Sequence, residues 1–143
     1  VTIFELPHIA EINKEFVKGT TISVKAGDFW KDILPSADVA FYSDIFHDYT
    51  EKECILLAKK SFDSLMMGGR IILHELPFNN DEKTLPLSAA VHNFSVIRWT
   101  RGRQYSINEL MGFLKEAGFS QLECIPTEYL DWILITGVKP FLA

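Results

Sequence analysis

His47 and Glu75 are the residues whose types best suit proton transfer. An unperturbed pKa of ~6.5 makes histidine a general base near neutral pH. A carboxylate beside it can hold one ring tautomer and stabilise the imidazolium formed on proton uptake, a role open to Glu75. Each also has a plain reading, His47 as a packed structural histidine and Glu75 as a charge at a strand end. His74, next to Glu75, should face the opposite side of the strand by alternation and is read as structural. His8 and His92 have no Cys or second His at metal-ligand spacing, so no metal site is expected.

A second group suits a nucleotide. Glu5 ends a short apolar run, where a carboxylate can accept both hydroxyls of a ribose. In Gly27-Asp28-Phe29, the carboxylate can bond an adenine amino group and the ring can pack on the base. The alternatives are a solvated charge at Glu5 and an Asx-turn with a core Phe at 28–29. The sequence contains no Walker motif, no G-x-S-x-G and no G-x-G-x-x-G. Gly68-Gly69 follows a helical pattern and precedes a strand pattern, the wrong order for a phosphate loop, and is read as a helix stop.

These residues need a frame. Val1 to Phe4 reads as a strand. Ile9, Ile12 and Phe16 then mark a helix stopped at Gly19, and Thr20 to Val24 is a second strand. Asp38 to Ser43 is a third. Thr50 and Glu53 have capping-box spacing, and Ile55, Ala58, Phe62, Leu65 and Met66 form the stripe of the helix they open. Arg70 to Glu75 is a fourth strand. After a polar loop from Pro77 to Pro86, Leu87 to Arg98 reads as a helix. Ser106 and Glu109 cap another, which carries Ile107, Leu110, Met111, Leu114 and Ala117 and closes at Gly118. Phe119 to Ile125 and Trp132 to Val138 are the last strands. Alternating strands and helices predict an α/β fold whose sheet is mostly parallel, with an antiparallel final pair. Ligands of such sheets sit at the carboxyl ends of the strands, which singles out Glu5, Asp28, Ser43 to Asp48, and Glu75.

The 143 residues are 48% hydrophobic and 23% charged, a globular profile that fits one domain. A net charge of −5 argues against a generic nucleic-acid surface. Cys54 and Cys124 suit a reducing, cytoplasmic setting rather than a disulfide framework. No apolar run reaches the ~18 residues of a membrane span. The chain starts at Val1, already inside a strand pattern, which suggests a piece of a longer protein.

Taken in order, several segments resemble the catalytic domain of the S-adenosylmethionine-dependent small-molecule O-methyltransferases, the group that includes plant caffeate and flavonoid enzymes and bacterial tailoring enzymes. They are Phe4-Glu5-Leu6-Pro7, Ala26-Gly27-Asp28-Phe29, Ile45-Phe46-His47-Asp48-Tyr49 with Glu51 and Cys54, Gly68-Gly69-Arg70-Ile71-Ile72 into Glu75, and Gly102-Arg103 running to Ala117-Gly118-Phe119. The resemblance implies a Rossmann-like class I methyltransferase domain over residues 1–143, partial because its first strand and glycine-rich loop would lie before Val1. It implies S-adenosylmethionine held by Glu5 at the ribose, by Gly27, Asp28 and Phe29 at the adenine, and by Ser43 nearby. His47 falls at the general base, Asp48 at an acidic neighbour of the substrate, and Glu75 at a carboxylate flanking the base. By position, Asn93, Phe94 and Trp99 would line the pocket of a small hydroxylated acceptor, although Phe94 and Trp99 equally suit core packing. A cytoplasmic homodimer formed through the preceding region is implied as well, with neither nucleic acid nor membrane as partner. In one departure, Gln104 stands where the family usually has an acidic residue, and a neutral amide there would weaken support for the imidazolium. A non-catalytic cofactor-binding domain, or an N- or C-methyltransferase on the same fold, is the alternative.

Overall fold

The computed structural model describes residues 1–79 and 85–141, so residues 80–84 of the expected polar loop lie outside the described residues. The chain divides into two units, Val1–Ser36 and Ala37–Ala143.

The first unit is a βαβ motif of β1 (Thr2–Glu5), α1 (Pro7–Phe16) and β2 (Ser23–Ala26). Pro7 opens α1, where its missing N–H costs nothing. β1 and β2 are parallel, with Glu5 opposite Ala26. The second strand starts later than the β-branched run suggested. Thr20 Oγ1 donates to Val17 O and accepts from Ile22 N, which holds residues 20–22 in a turn until Ser23. Gly27 is required just after β2, because a Cβ there would meet the Phe4 ring at 2.3 Å.

The second unit contains β3 (Ala37–Ser43), a short 3-10 turn (Phe46–Asp48), α2 (Glu51–Ser64), β4 (Leu65–Glu75), α3 (Leu87–Trp99), α4 (Ile107–Ala117), β5 (Ser120–Pro126) and β6 (Ile133–Val138). Its sheet has the order β3-β4-β6-β5. β3 and β4 are parallel and β6 runs antiparallel to both β4 and β5. Three strands thus share one direction against the last, as the missing helix between β5 and β6 predicted. Among the described residues β1 and β2 form a two-stranded sheet of their own. The core of this unit gathers Leu57 and Ala58 from α2, Ile71 and Leu73 from β4, Leu110 and Leu114 from α4, and Ile135 from β6. Among the described residues no helix is long and apolar enough to cross a membrane.

The end of α2 corrects the sequence reading. The helix stops at Ser64, so Leu65 and Met66 leave its stripe, and Gly68-Gly69 lie inside β4. Three sets of hydrogen bonds decide this. Ser61 and Ser64 hydroxyls bond back to Leu57 O and Ser61 O. Lys139 Nζ donates to the carbonyls of Phe62 and Leu65. The backbone of Lys139 then pairs with Gly68 N and Gly69 O, drawing the glycines into the sheet. Gly68 has φ +77, and the β3–β4 register shifts between Ala37 and Val39 to absorb the extra residues.

Candidate active site

β3 delivers the chain to Asp44, which takes a left-handed φ of 60, a conformation Asp tolerates. Asp44 N donates to His74 O, so the turn is pinned to β4 as it leaves the sheet. Phe46 is fully buried, its ring edge-on to Tyr42 and its carbonyl accepting from Cys54 Sγ. That anchor leaves His47 at the mouth of the turn with its side chain only 6% exposed. Thr50 then gives its N–H and hydroxyl to Glu53, the capping box that starts α2.

Glu75 ends β4 and is 1% exposed, not a solvated strand-end charge. One carboxylate oxygen accepts from Ile45 N at 3.0 Å and Phe46 N at 2.8 Å. The other lies 2.9 Å from His47 Nδ1. A carboxylate partner there keeps the neutral ring's proton on Nδ1, which leaves the Nε2 lone pair free to accept another. Asp44 Oδ1 is 3.3 Å from Nδ1 and Asp48 Oδ1 is 3.4 Å from Nε2. Burial pulls the imidazole pKa down, but the Glu75 hydrogen bond and the charges of Glu75, Asp44 and Asp48 outweigh it, holding His47 above its ordinary 6.5.

The connection between α3 and α4 closes the other side of this turn. Gly102 lies so close that a Cβ would come within 2.2 Å of His47 O and 2.5 Å of Tyr49 O. Arg101 N donates to Asp48 O, and the Tyr105 hydroxyl donates to Tyr49 O at 2.7 Å. Arg103 lies over the Tyr105 ring and pairs with Glu51 at 2.8 Å and Glu109 at 2.9 Å. The pair with Arg103, reinforced by the Ser106 N–H, depresses the Glu109 carboxyl to about 2.

His92 on α3, which the sequence reading considered only as a metal ligand and set aside, lies beside His47. Its ring lies edge-on to that of His47, with centroids 5.2 Å apart, and 6.3 Å from Trp132. Gln104 is buried, and its amide nitrogen lies 2.8 Å from His92 Nδ1. Gln104 therefore contacts a second imidazole, and the groups that support His47 are Glu75, Asp44 and Asp48. The expectation of no metal site came from spacing alone. The fold nonetheless brings one ligand atom each from Asp44, His47 and His92 within 4.8 Å of one another. Both Nδ1 atoms in that set are engaged, one with Glu75 and one with Gln104.

The remaining expected residues divide. Ser43 Oγ lies 2.9 Å from His74 Nδ1, and the His74 ring packs between Phe41 and Trp132. Asn93 uses its side-chain oxygen to hold Gln104 N at 2.8 Å. Phe94 and Trp99 are 64% and 83% exposed in this chain. They project from α3 into solvent rather than under it. In the first unit, Glu5 Oε1 accepts from Leu6 N. Asp28 Oδ1 accepts from Trp30 N, an Asx-turn, and Oδ2 pairs with Lys31 at 3.0 Å. Phe29 lies edge-on to Trp30. Glu5 and Asp28 stand at the same end of the parallel β1–β2 pair.

Comparison with known proteins agrees with this architecture. Residues 1–120 match the O-methyltransferase domain family, and the chain belongs to it. It is 32% identical over 129 residues to 3-hydroxy-5-methyl-1-naphthoate 3-O-methyltransferase from Streptomyces sahachiroi, covering 87% of this chain and 37% of that protein. The structure superposes with a TM-score of 0.88 on an O-methyltransferase family 2 protein from Planctomyces limnophilus, solved in complex with apigenin, at 32% identity over 96% of this chain and 43% of that one. Human N-acetylserotonin methyltransferase, solved with SAM, shares the fold at a TM-score of 0.90 and 23% identity, covering 98% of this chain and 40% of that one. The chain thus spans well under half the length of the relatives it matches.

Proposed function

We propose that the protein transfers a methyl group from S-adenosylmethionine to a hydroxyl of a small acceptor, aromatic or polyketide-like, with His47 as general base. The observation that carries this is the 2.9 Å contact of His47 Nδ1 with buried Glu75, which leaves Nε2 to receive a proton. Bound S-adenosylmethionine supplies an electrophilic methyl on a sulfonium. His47 Nε2 takes the hydroxyl proton as the oxygen becomes a nucleophile. Glu75, hydrogen-bonded at Nδ1, stabilises the resulting imidazolium without moving, because its other oxygen is tied to two backbone N–H groups. Asp48, 3.4 Å from Nε2, is placed to orient the acceptor hydroxyl.

The residues present suit the cofactor. Glu5 offers a carboxylate to a ribose diol, and Asp28 with Phe29 offers an acceptor and a ring to the adenine, at one end of a parallel pair. Gly27 and Ser43 complete the proposed cofactor set, and Asn93, Phe94 and Trp99 the acceptor side. The exposure of Phe94 and Trp99 supports a surface role for both. The family further suggests a cytoplasmic homodimer.

His47→Ala in the full-length protein tests the reading. The expected loss in kcat is at least ~100-fold, the scale of general-base contributions. Methyl transfer within about threefold of the parent would remove His47 from the chemistry and favour an N- or C-methyl transfer, which depends on placement rather than a base.

A further inference from the structure

The proposed mechanism leaves His92 and Gln104 without a task, yet both are built into the same assembly. Gln104 is 1% exposed, its backbone N–H is clasped by Asn93, and its side-chain amide nitrogen points to His92 Nδ1 at 2.8 Å. An amide NH2 only donates, so the Nδ1 it meets must carry a lone pair. A neutral ring in this contact would carry its proton on Nε2. That ring is set edge-on to His47 and is backed by Trp132.

We propose that His92, fixed by Gln104 as the neutral Nε2-protonated tautomer, is a positioning residue for His47: it holds the plane of the base without placing a second positive charge beside it. This rests on His47 being the base. Glu75, Asp44 and Asp48 meet His47 at its ring nitrogens, and the His92 ring packs against it in a T-shaped contact that limits tilting of its plane. Charge is the second requirement. His47 becomes cationic in the reaction, and a charged neighbour with ring centroids 5.2 Å away would oppose it. The charged groups facing the two rings are Asp44 and Asp48 on the His47 turn and Glu75 on β4. Arg103, next to Gln104, is turned away to Glu51 and Glu109. The amide at 104 thus matches the imidazole at 92.

Two measurements test this. Long-range 1H–15N NMR of the full-length protein near neutral pH reads the tautomers directly and needs neither cofactor nor acceptor. The expected result is a neutral His92 protonated on Nε2, and Gln104→Glu, nearly equal in size, moves that proton to Nδ1. A parent His92 already protonated on Nδ1, or a tautomer unmoved by Gln104→Glu, overturns the proposal. In the full-length protein, His92→Ala is expected to lower kcat about tenfold, with the KM for S-adenosylmethionine unchanged and a folded NMR spectrum retained. Unchanged kcat overturns it as well, provided His47→Ala is inactive. If His47→Ala is itself active, the base assignment has failed instead.

Discussion

Glu75 divides one buried carboxylate between two tasks. One oxygen holds the backbone of the turn at Ile45 and Phe46, and the other holds the His47 ring. Gln at this position keeps the shape, but its NH2 cannot accept where an oxygen did. Glu75→Gln should therefore cost about 1–3 kcal/mol in a denaturation experiment, the scale of an unmet buried donor. It should also move a pH profile, with a definite sign. His47 is held above 6.5 chiefly against the pull of burial, by the Glu75 bond and three acidic neighbours. With His47 as the proposed base, competent when neutral, kcat/KM of the full-length protein is expected to rise through a midpoint above ~6.5. Removing the Glu75 charge lowers that midpoint. The stability linked to this histidine runs oppositely: present in full below ~6.5, it is lost as pH rises through the folded midpoint. A pH–rate profile whose acid limb stays in place in Glu75→Gln would show that Glu75 does not set the base.

At the scale of elements, the turn carrying His47 is clamped from two directions, by the end of β4 and by the α3–α4 connection. Gly102 makes the second clamp possible. Its missing Cβ would collide with backbone carbonyls, which cannot swing aside as a side chain can. Gly102→Ala should destabilise by about 1–3 kcal/mol in thermal melts and blunt turnover. Gly112 is the matched control, since it sits inside α4 with nothing within 4 Å of a Cβ. Gly112→Ala should stabilise by roughly 0.5–1 kcal/mol through helix propensity. Equal effects at both sites would mean that Gly102 is not packed as described. Local signals explain why some elements were legible. The Ser106–Glu109 box and Gly118, with φ +105, begin and end α4 where expected. The end of α2 was not legible, because the residue that holds it, Lys139, lies 77 and 74 positions from the carbonyls it binds.

At the scale of the whole molecule, charge and exposed apolar surface set behaviour in solution. Glu109, depressed to about 2 chiefly by its bond to Arg103, adds stability that is present above ~4.5 and lost as pH falls through about 2. The pair is partly exposed, so the gain is modest and weakened by salt. Melting temperatures between pH 5 and 2 should fall less steeply in Glu109→Gln than in the parent. Leu87, Val91, Phe94 and Ile97 leave an exposed apolar stripe along one face of α3. Contiguous patches of this kind promote association. Light scattering of the 143-residue chain should show mass rising with concentration, and Val91→Lys with Phe94→Lys should suppress it. A strictly monomeric parent would show that this face does not drive self-association.

The sequence alone determined what depends on near neighbours. It placed the helices through caps and stripes, the order of strands and helices, and the two carboxyl-end residues, His47 and Glu75, that the structure brings to 2.9 Å. Their meeting was inferable because both sit at the ends of strands that a βαβ unit makes adjacent and parallel. Only the tertiary structure decided that His92 meets His47, that Gln104 serves His92, that Lys139 ends α2 and that Phe94 and Trp99 stand in solvent. Those outcomes depend on contacts between elements far apart in the chain. No spacing rule encodes them, because packing, not periodicity, selects which side chains meet.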